Sequence, residues 1–396
     1  MVRGPTSFTA GDAAWQVVIA CARHAAGVAA ASDVVRAAEL VHDWPSTLYI
    51  ARQQGLDALL ASTLAKGGAA DPLQEIARSA VTASTARTLG QQRLLARVLG
   101  ALSDAGVPAL PYKGPVLALQ LYGDATLRTS VDLDVVVPLA SYAAARQALI
   151  SLGLPPRGGH SARQERTLFR WLGHASFGTG TEEFIELHWR FAPLQFPFAL
   201  TPEAALSRAT RGRMAGQDVA MMADDDLAVT LAMHAARHLF ERLEWLAGVT
   251  RLLVARAADP RGLVDHATRL RGRRALLVAA GVAHRVLDAP LGERWLALIA
   301  EDRDAERVAA VMTEELAGSW AGAPPLSGSS VQRRYAQLLD SPADKLRSFL
   351  RAALLPTERE WEALVLPDSL TPLYHVVRPA RLLVMYARRA ISRPAP

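Results

Sequence analysis

The chain has 396 residues, of which 51% are hydrophobic and 21% charged, so it can bury a full core, and an intrinsically disordered protein is excluded. Its 44 basic residues outnumber 38 acidic ones and give a formal net charge of +6, which only modestly favours an anionic partner such as nucleic acid. The single cysteine, Cys21, excludes an internal disulfide and a multi-cysteine zinc site, and is typical of a protein of the reducing cytoplasm.

The first part of the chain is predicted to be helical. From about residue 9 to 104, Ala, Leu, Arg and Gln recur with helical spacing, and Thr9 followed by Asp12 is typical of a helix cap. We therefore assign residues 1–104 to a helical N-terminal region.

The pattern changes at Gly106, where a short extended segment, a Lys-Gly-Pro turn and a helix follow one another. Alternation of apolar and acidic residues then predicts the clearest strand of the chain, with Asp132 and Asp134 on one face. The segments are 107–112 (extended), 116–122 (helix), 131–137 (strand) and 141–152 (helix).

Two further strand-like runs, 168–177 and 183–191, flank the turn-forming residues 178–181 and predict a hairpin with Glu186 and His188 on one face. We assign residues 105–196 to a catalytic core and residues 197–396, which return to helical periodicity, to a helical C-terminal region. No segment approaches the roughly 20 apolar residues that a membrane span requires, so we expect a soluble protein.

The acidic residues of the predicted strand indicate a metal site. Asp132 and Asp134 should lie roughly 6 to 7 Å apart on one face of the strand, and at an effective dielectric near 20 their charges repel by about 2 to 3 kcal/mol. Mg²⁺ relieves such repulsion, because it prefers carboxylate oxygens together with water and phosphate oxygens. Glu186, on a neighbouring strand, is the leading candidate for a third ligand.

These residues lie in motifs that resemble an uncharacterised bacterial nucleotidyltransferase family, within the superfamily that has the DNA polymerase β-type fold. The motifs are Tyr112-Lys113-Gly114, Tyr122-Gly123-Asp124, the run from Arg128 through Thr129, Ser130 and Val131 to Val137, and Glu186-Leu187-His188-Trp189. The resemblance continues in His234-Ala235-Ala236-Arg237-His238 and Arg242-Leu243-Glu244-Trp245-Leu246, and thus covers most of the chain after residue 105.

The resemblance implies an α+β fold, in which a small mixed sheet forms the nucleotidyltransferase core and helical regions flank it on both sides. It implies a catalytic site in which Asp132, Asp134 and Glu186 hold Mg²⁺ against a nucleoside triphosphate. Lys113 and Gly114, at a helix start, are expected to bind phosphate. The resemblance also places Ser130, Arg128 and His188 among the substrate-binding residues.

Several alternatives stay open at this point. Arg128 either contacts a phosphate or pairs with Asp124 or Asp132, and His188 either contacts a carboxylate or the acceptor or is structural. His234 and His238 could ligate zinc, line the cleft or pack within a helix. The tail from Arg378 onward, which has five Arg and no acidic residue, could contact nucleic acid or an anionic membrane surface or form a solvated terminal helix.

The expected reaction transfers an NMP from an NTP to a hydroxyl or phosphate acceptor and releases pyrophosphate. Because the family is often found beside peptide natural-product genes, the resemblance also suggests a role in modifying such peptides. A tRNA-modifying nucleotidyltransferase toxin and a catalytically silent nucleotide-binding protein are the alternatives. The sequence does not identify the acceptor, whose specificity we expect in loops such as 155–166.

Overall fold

The computed structural model describes residues 12–68, 71–130, 132–158, 169, 172–180, 184–320, 322 and 329–391. Helices surround a small mixed sheet, as the α+β prediction requires. No helix in these ranges combines the length and the apolar character needed to cross a membrane.

Five helices form the N-terminal part of the chain, in agreement with the predicted helical pattern. Thr9 lies outside the described residues, and the side chain of Asp12 caps the first helix by accepting a hydrogen bond from the Ala14 amide at 2.9 Å. The helices are α1 (Ala13–Ala25), α2 (Ala31–Ala38), α3 (Trp44–Gln53), α4 (Asp57–Lys66) and α5 (Asp71–Asp104).

A four-stranded sheet with the order β1-β2-β4-β3 lies at the centre. Strand β2 pairs with β4 in parallel and with β1 antiparallel, and β3 and β4 form the predicted antiparallel hairpin. Strand β1 has only two residues, since Pro108 and Pro111 cannot donate to a ladder. The strands are β1 (Leu110–Pro111), β2 (Leu133–Val136), β3 (His174–Phe177) and β4 (Ile185–His188), and α6 (Gly114–Tyr122) and α7 (Tyr142–Ser151) adjoin them.

The two faces of the sheet differ as the alternation predicted. Leu133, Val135 and Leu187 point into an apolar cluster shared with residues of α5 and α7. The opposite face carries Asp134, and beyond it Val136 belongs to the larger core that both helical parts of the chain build. The acidic face therefore lies at the boundary between sheet and helices.

The prediction of helices alone after Pro197 is wrong for one segment. After α8 (Pro202–Arg208), β5 (Thr210–Met214) and β6 (Gln217–Met221) form an antiparallel hairpin. Its turn residues Ala215 and Gly216 both have positive φ, 50° and 82°, as a two-residue hairpin turn of the primed type requires. An Ala-Gly pair is a weaker sequence signal for this turn than Asn-Gly, which is why the hairpin was missed.

The described residues from 224 onward are mostly helical, as predicted, and residues of their helices share one apolar cluster with residues of α1 to α4. The helices are α9 (Asp224–Arg237), α10 (Leu243–Ala255), α11 (Pro260–Arg269), α12 (Arg273–Val286), α13 (Gly292–Glu301), α14 (Arg303–Trp320), α15 (Ser329–Gln337), α16 (Pro342–Leu354), α17 (Glu358–Ala363) and α18 (Tyr374–Ile391).

A buried carboxylate ties the last helices together. Glu360 accepts a hydrogen bond from the Thr357 amide at 2.7 Å and ion pairs from Arg378 and Arg381 at 3.1 and 2.5 Å. Burial alone would raise the pKa of Glu360, but hydrogen bonds from Thr357 and the two arginines lower it to about 2.

Candidate active site

Three carboxylates converge at the sheet. Asp134 of β2 and Glu186 of β4 are direct partners in the parallel ladder, and Asp132 lies two residues before Asp134. One oxygen of each carboxylate lies within 4.8 Å of the others. We call these three residues the carboxylate site.

Asp134 is the most enclosed member, with only 1% of its side chain exposed. Its Oδ1 accepts a hydrogen bond from Lys113 Nζ at 3.0 Å and lies 2.9 Å from His188 Nε2. Its Oδ2 is buried and has no hydrogen-bond partner within the described part of the chain. A buried carboxylate oxygen that accepts no hydrogen bond is available as a ligand atom for a hard divalent cation.

The surroundings of Asp134 and Asp132 shift the pKa values of the two carboxyl groups in opposite directions. Burial alone would raise the pKa of Asp134, but Lys113 and the hydrogen bond from His188 hold it below the ordinary value. Burial raises the pKa of Asp132, and the adjacent charge of Asp134 raises it further. Asp132 therefore gains from a nearby cation, since its charged form is otherwise disfavoured.

His188 bridges two members of the carboxylate site. Its Nε2 lies 3.2 Å from Glu186 Oε2 as well as 2.9 Å from Asp134 Oδ1. Burial by itself would lower the pKa of His188, but these two contacts raise it above its usual value. For Glu186, burial opposes ionisation while the hydrogen bond from His188 and the nearby His174 lower its pKa. Of the options considered for His188, the structure shows contact with carboxylates.

The start of α6 lies beside the same strand. Gly114 has a φ of +61°, and a Cβ there would lie 3.2 Å from Leu133 Cδ2, so both backbone and space favour glycine. Lys113 precedes it and points to Asp134, and it also lies 5.1 Å above the Tyr112 ring. The side chain expected to bind phosphate thus contacts a predicted metal ligand.

The loop before β2 is held in place from two sides. Ser130 Oγ donates to the backbone oxygen of Asp132 at 2.7 Å, and Gln91 of α5 donates to the backbone oxygen of Ser130 at 2.5 Å. Arg128, 6% exposed, pairs through Nε with Glu244 of α10, which is 5% exposed. Its partner in the structure is therefore neither Asp124 nor Asp132, the two partners considered from the sequence.

The ion pair between Arg128 and Glu244 is deeply enclosed. Arg128 Nη1 and Glu244 Oε2 are buried without hydrogen-bond partners among the described residues. Gly55, which follows α3, lies against Glu244 so closely that a Cβ would fall 2.1 Å from Oε2. Glu244 lies within one of the motifs that carry the resemblance, but no local pattern indicates its role, because its partner Arg128 lies 116 residues away.

A cleft of about 320 Å³ opens in front of the carboxylate site, and Arg128, Ser130 and Lys113 also line it. Its opposite wall comes from the end of α9 and the start of α10. The two arginines there, for which the sequence predicts no role, line the same cleft as Asp132 and Glu186. This basic wall consists of His234, Arg237, His238, Arg242 and Trp245.

The rings of the basic wall pack together. The Trp245 centroid lies 4.8 Å from that of His234 and 4.9 Å from that of His238, and Arg242 lies 5.5 Å from the Trp245 ring. Burial and the nearby cations lower the pKa of both histidines, that of His238 to about 4. Of the three options for these histidines, the structure shows cleft lining, and no group of metal-ligand geometry among the described residues includes them.

Comparison with known proteins assigns the chain to a family and identifies a similar solved structure. No curated protein matches the chain. The solution structure of the antibiotic-resistance factor ANT(2'')-Ia is similar at 17% identity over 57% of this chain and 96% of that one, with a TM-score of 0.29, too low for a comparison of individual residues. Residues 41–288 match the model of a family described as uncharacterised nucleotidyltransferase. Because this match spans more than half of the chain, the protein belongs to that nucleotidyltransferase family.

Proposed function

We propose that the protein transfers an NMP from an NTP to a hydroxyl or phosphate acceptor, with release of pyrophosphate, at the carboxylate site. The observation that carries the proposal is the convergence of Asp132, Asp134 and Glu186 within 4.8 Å of one another in a member of a nucleotidyltransferase family. The sequence motifs further support a place in the DNA polymerase β-like superfamily and a bacterial origin, and the single cysteine, Cys21, supports a cytoplasmic location.

The donor set fits Mg²⁺. All three side chains offer carboxylate oxygens, and Asp134 Oδ2 is buried without a partner in the described part of the chain. Magnesium bound there would neutralise charge on the phosphates and align the attacking oxygen.

Cations on two sides of the cleft suit a triphosphate. Lys113, which directly precedes α6, lines it on the side of the sheet, and Arg237 and Arg242 line it on the basic wall. Guanidinium groups bind phosphate oxygens with paired N–H donors, so the wall provides directional contacts that the lysine does not. Ser130 orients the loop that carries Asp132.

Glu186 is the residue that we assign to activation of the acceptor. A new bond forms between the acceptor oxygen and the α-phosphorus, while the bond from that phosphorus to the oxygen bridging to the β-phosphorus breaks. Glu186, 21% exposed and open to the cleft, helps to remove the proton that the acceptor loses. Lys113 and the arginines of the basic wall lie where they can neutralise the negative charge of the leaving pyrophosphate.

The acceptor is a hydroxyl or phosphate of a small molecule, peptide, protein or RNA. The loop 155–166, in which we expected acceptor specificity, is described only as far as residue 158. An RNA acceptor and a peptide acceptor are separated by the experiment that follows.

The full-length protein is incubated with each α-labelled NTP, Mg²⁺ and cell lysate, with and without RNase. Asp134→Asn serves as the inactive variant, and Asp218→Asn, which changes an exposed carboxylate on β6, serves as the matched control. We expect label on an acceptor with the parent and the control but not with Asp134→Asn. Loss of label after RNase selects an RNA acceptor. Equal labelling by Asp134→Asn would refute the assignment of the site.

A further inference from the structure

One histidine at the sheet edge has no part in the proposed reaction. His174 of β3 is the direct ladder partner of His188 of β4, so the two imidazoles project on the same face. Their ring centroids lie 5.0 Å apart with an interplanar angle of 29°. Both rings therefore lie beside Glu186, whose own ladder partner on β3 is Ser176.

The three side chains offer a second ligand set, which has only Glu186 in common with the carboxylate site. Glu186 presents Oε2 to His188 Nε2 at 3.2 Å and Oε1 to His174 Nε2 at 4.0 Å. One ligand atom from each of the three lies within 4.8 Å of the others. The separations of 3.2 and 4.0 Å suit ligands that share one ion, since two ligands at about 2.1 Å from a metal are at most about 4.2 Å apart. The bound of 4.8 Å on the whole group requires only a small side-chain adjustment to bring all three atoms to one ion.

We infer that His174, Glu186 and His188 form a second cation site, which shares Glu186 with the carboxylate site and takes a transition-metal ion such as Mn²⁺, Co²⁺ or Zn²⁺. Imidazole suits such ions, whereas Mg²⁺ prefers oxygen donors alone. The ion would replace the Nε2 proton through which His188 contacts Asp134 and Glu186, and that proton is released to solvent on binding. Two imidazoles and one carboxylate with open positions are a recurrent donor set for divalent transition metals. The carboxylate site and this site would then differ in the ion they prefer.

A purely structural role explains His174 less well. Structural histidines are usually buried or hydrogen-bonded through a ring nitrogen, but one third of the His174 side chain is exposed and it lines the cleft. Within the described residues, its nearest acidic partner, Glu186 Oε1, lies at 4.0 Å, beyond hydrogen-bond distance. The ring is thus open to a ligand from the cleft side.

Binding of the ion does not depend on the proposed NMP transfer, whereas any use of the ion in that reaction does. The test is a titration of the full-length, metal-free protein with Co²⁺, followed by visible absorption, and with Mn²⁺, followed by electron paramagnetic resonance with nitrogen couplings. His174→Gln keeps size and polarity but removes the imidazole. His238→Ala, on the basic wall, removes an imidazole of the same cleft that lies outside this ligand set.

We expect Co²⁺ affinity to fall by at least about 10-fold in His174→Gln and to stay parental in His238→Ala. Loss of a residue that only hydrogen-bonds to a metal ligand already costs about 10-fold or more in affinity, so loss of a ligand should cost at least as much. Nitrogen coupling should drop from two imidazoles to one. Parental Co²⁺ affinity in His174→Gln, or no nitrogen coupling in the parent, would overturn the inference. Mg²⁺·NTP binding, measured by calorimetry on the same samples, is expected to persist in His174→Gln. If cobalt binds through His174 but no NTP is transferred to any acceptor, the proposed function fails while this site stands.

Discussion

Substitution of Gly55 by alanine tests the buried pair that joins α10 to the loop before β2. Gly55 has a φ of +72°, and a Cβ at this position would fall 2.1 Å from Glu244 Oε2 and 2.9 Å from Glu244 Cδ. Glu244 cannot move away freely, because its side chain is enclosed and paired with Arg128. We therefore expect Gly55→Ala to break the pair between Arg128 and Glu244.

The expected loss of stability has two parts. An alanine in the left-handed region costs roughly 1–2 kcal/mol. Separating a buried ion pair costs about 3–5 kcal/mol more, because one charge is left without its partner. The sum of about 4–7 kcal/mol is comparable with the whole stability of an ordinary domain, about 5–15 kcal/mol.

The measurement is urea unfolding of the parent and variants, followed by circular dichroism. Gly106→Ala is the matched control, because Gly106 has a φ of +67° and a Cβ there would meet no atom within 4 Å. It should lose only the backbone part. In a Glu244→Ala background the contacts at 2.1 and 2.9 Å are absent and only the Cβ contact at 3.0 Å remains, so Gly55→Ala should cost little more than the backbone part of about 1–2 kcal/mol. Equal losses for Gly55→Ala and Gly106→Ala in the parent background would refute the reasoning.

Four further outcomes are expected. Asp134→Asn should weaken Mg²⁺·NTP binding by at least about 10-fold in calorimetry, since it removes a charge from the cation site; parental affinity in a folded variant would contradict this. Lys113→Ala should weaken NTP binding more than Mg²⁺ binding, because the ammonium interacts with phosphates; unchanged NTP affinity would leave the lysine a structural role. Glu186→Gln should keep near-parental Mg²⁺·NTP affinity and reduce transfer by at least about 100-fold, as expected for lost acid–base assistance; a parental rate would remove Glu186 from the mechanism. The contacts that lower the pKa of Glu360 from 4.5 to about 2 stabilise the last helices when the pH is above 4.5, and this stabilisation should disappear as the pH falls from 4.5 to about 2. Acid unfolding followed by circular dichroism should show a smaller loss of stability over this range for Glu360→Gln than for the parent.

The part of the site that alternation describes could be predicted from the sequence. Period-two spacing placed Asp132 and Asp134 opposite the apolar side chains of β2, and it placed Glu186 beside His188 on β4. The structure has both strands and pairs Asp134 with Glu186 in the ladder. Such patterns are local, because successive side chains of a strand point to opposite faces.

Other features depend on contacts between distant segments, which no local pattern reports. Glu244 meets Arg128 across 116 residues. Arg237 and Arg242 line the cleft because the end of α9 and the start of α10 lie across it from Asp132 and Glu186. His174 lies opposite His188 because of hairpin register, which the sequence left open over the run 168–177. The hairpin at 210–221 was missed because Ala-Gly is a weak turn signal.

The first residues of α10 show how the basic wall is placed relative to the sheet. The Leu243 amide donates to Gln54 Oε1 at 2.9 Å, and the Glu244 amide donates to the Gln54 backbone oxygen at 3.1 Å. These bonds satisfy two of the amides that a helix start leaves without partners, and they come from the end of α3 rather than from a local cap. Glu244 then reaches Arg128, on the loop that leads to Asp132. The N-terminal helices therefore fix the distance between the basic wall and the carboxylate site, although none of their side chains lines the cleft among the residues that the structure describes. A change at the end of α3 should thus alter the width of the cleft without touching a substrate.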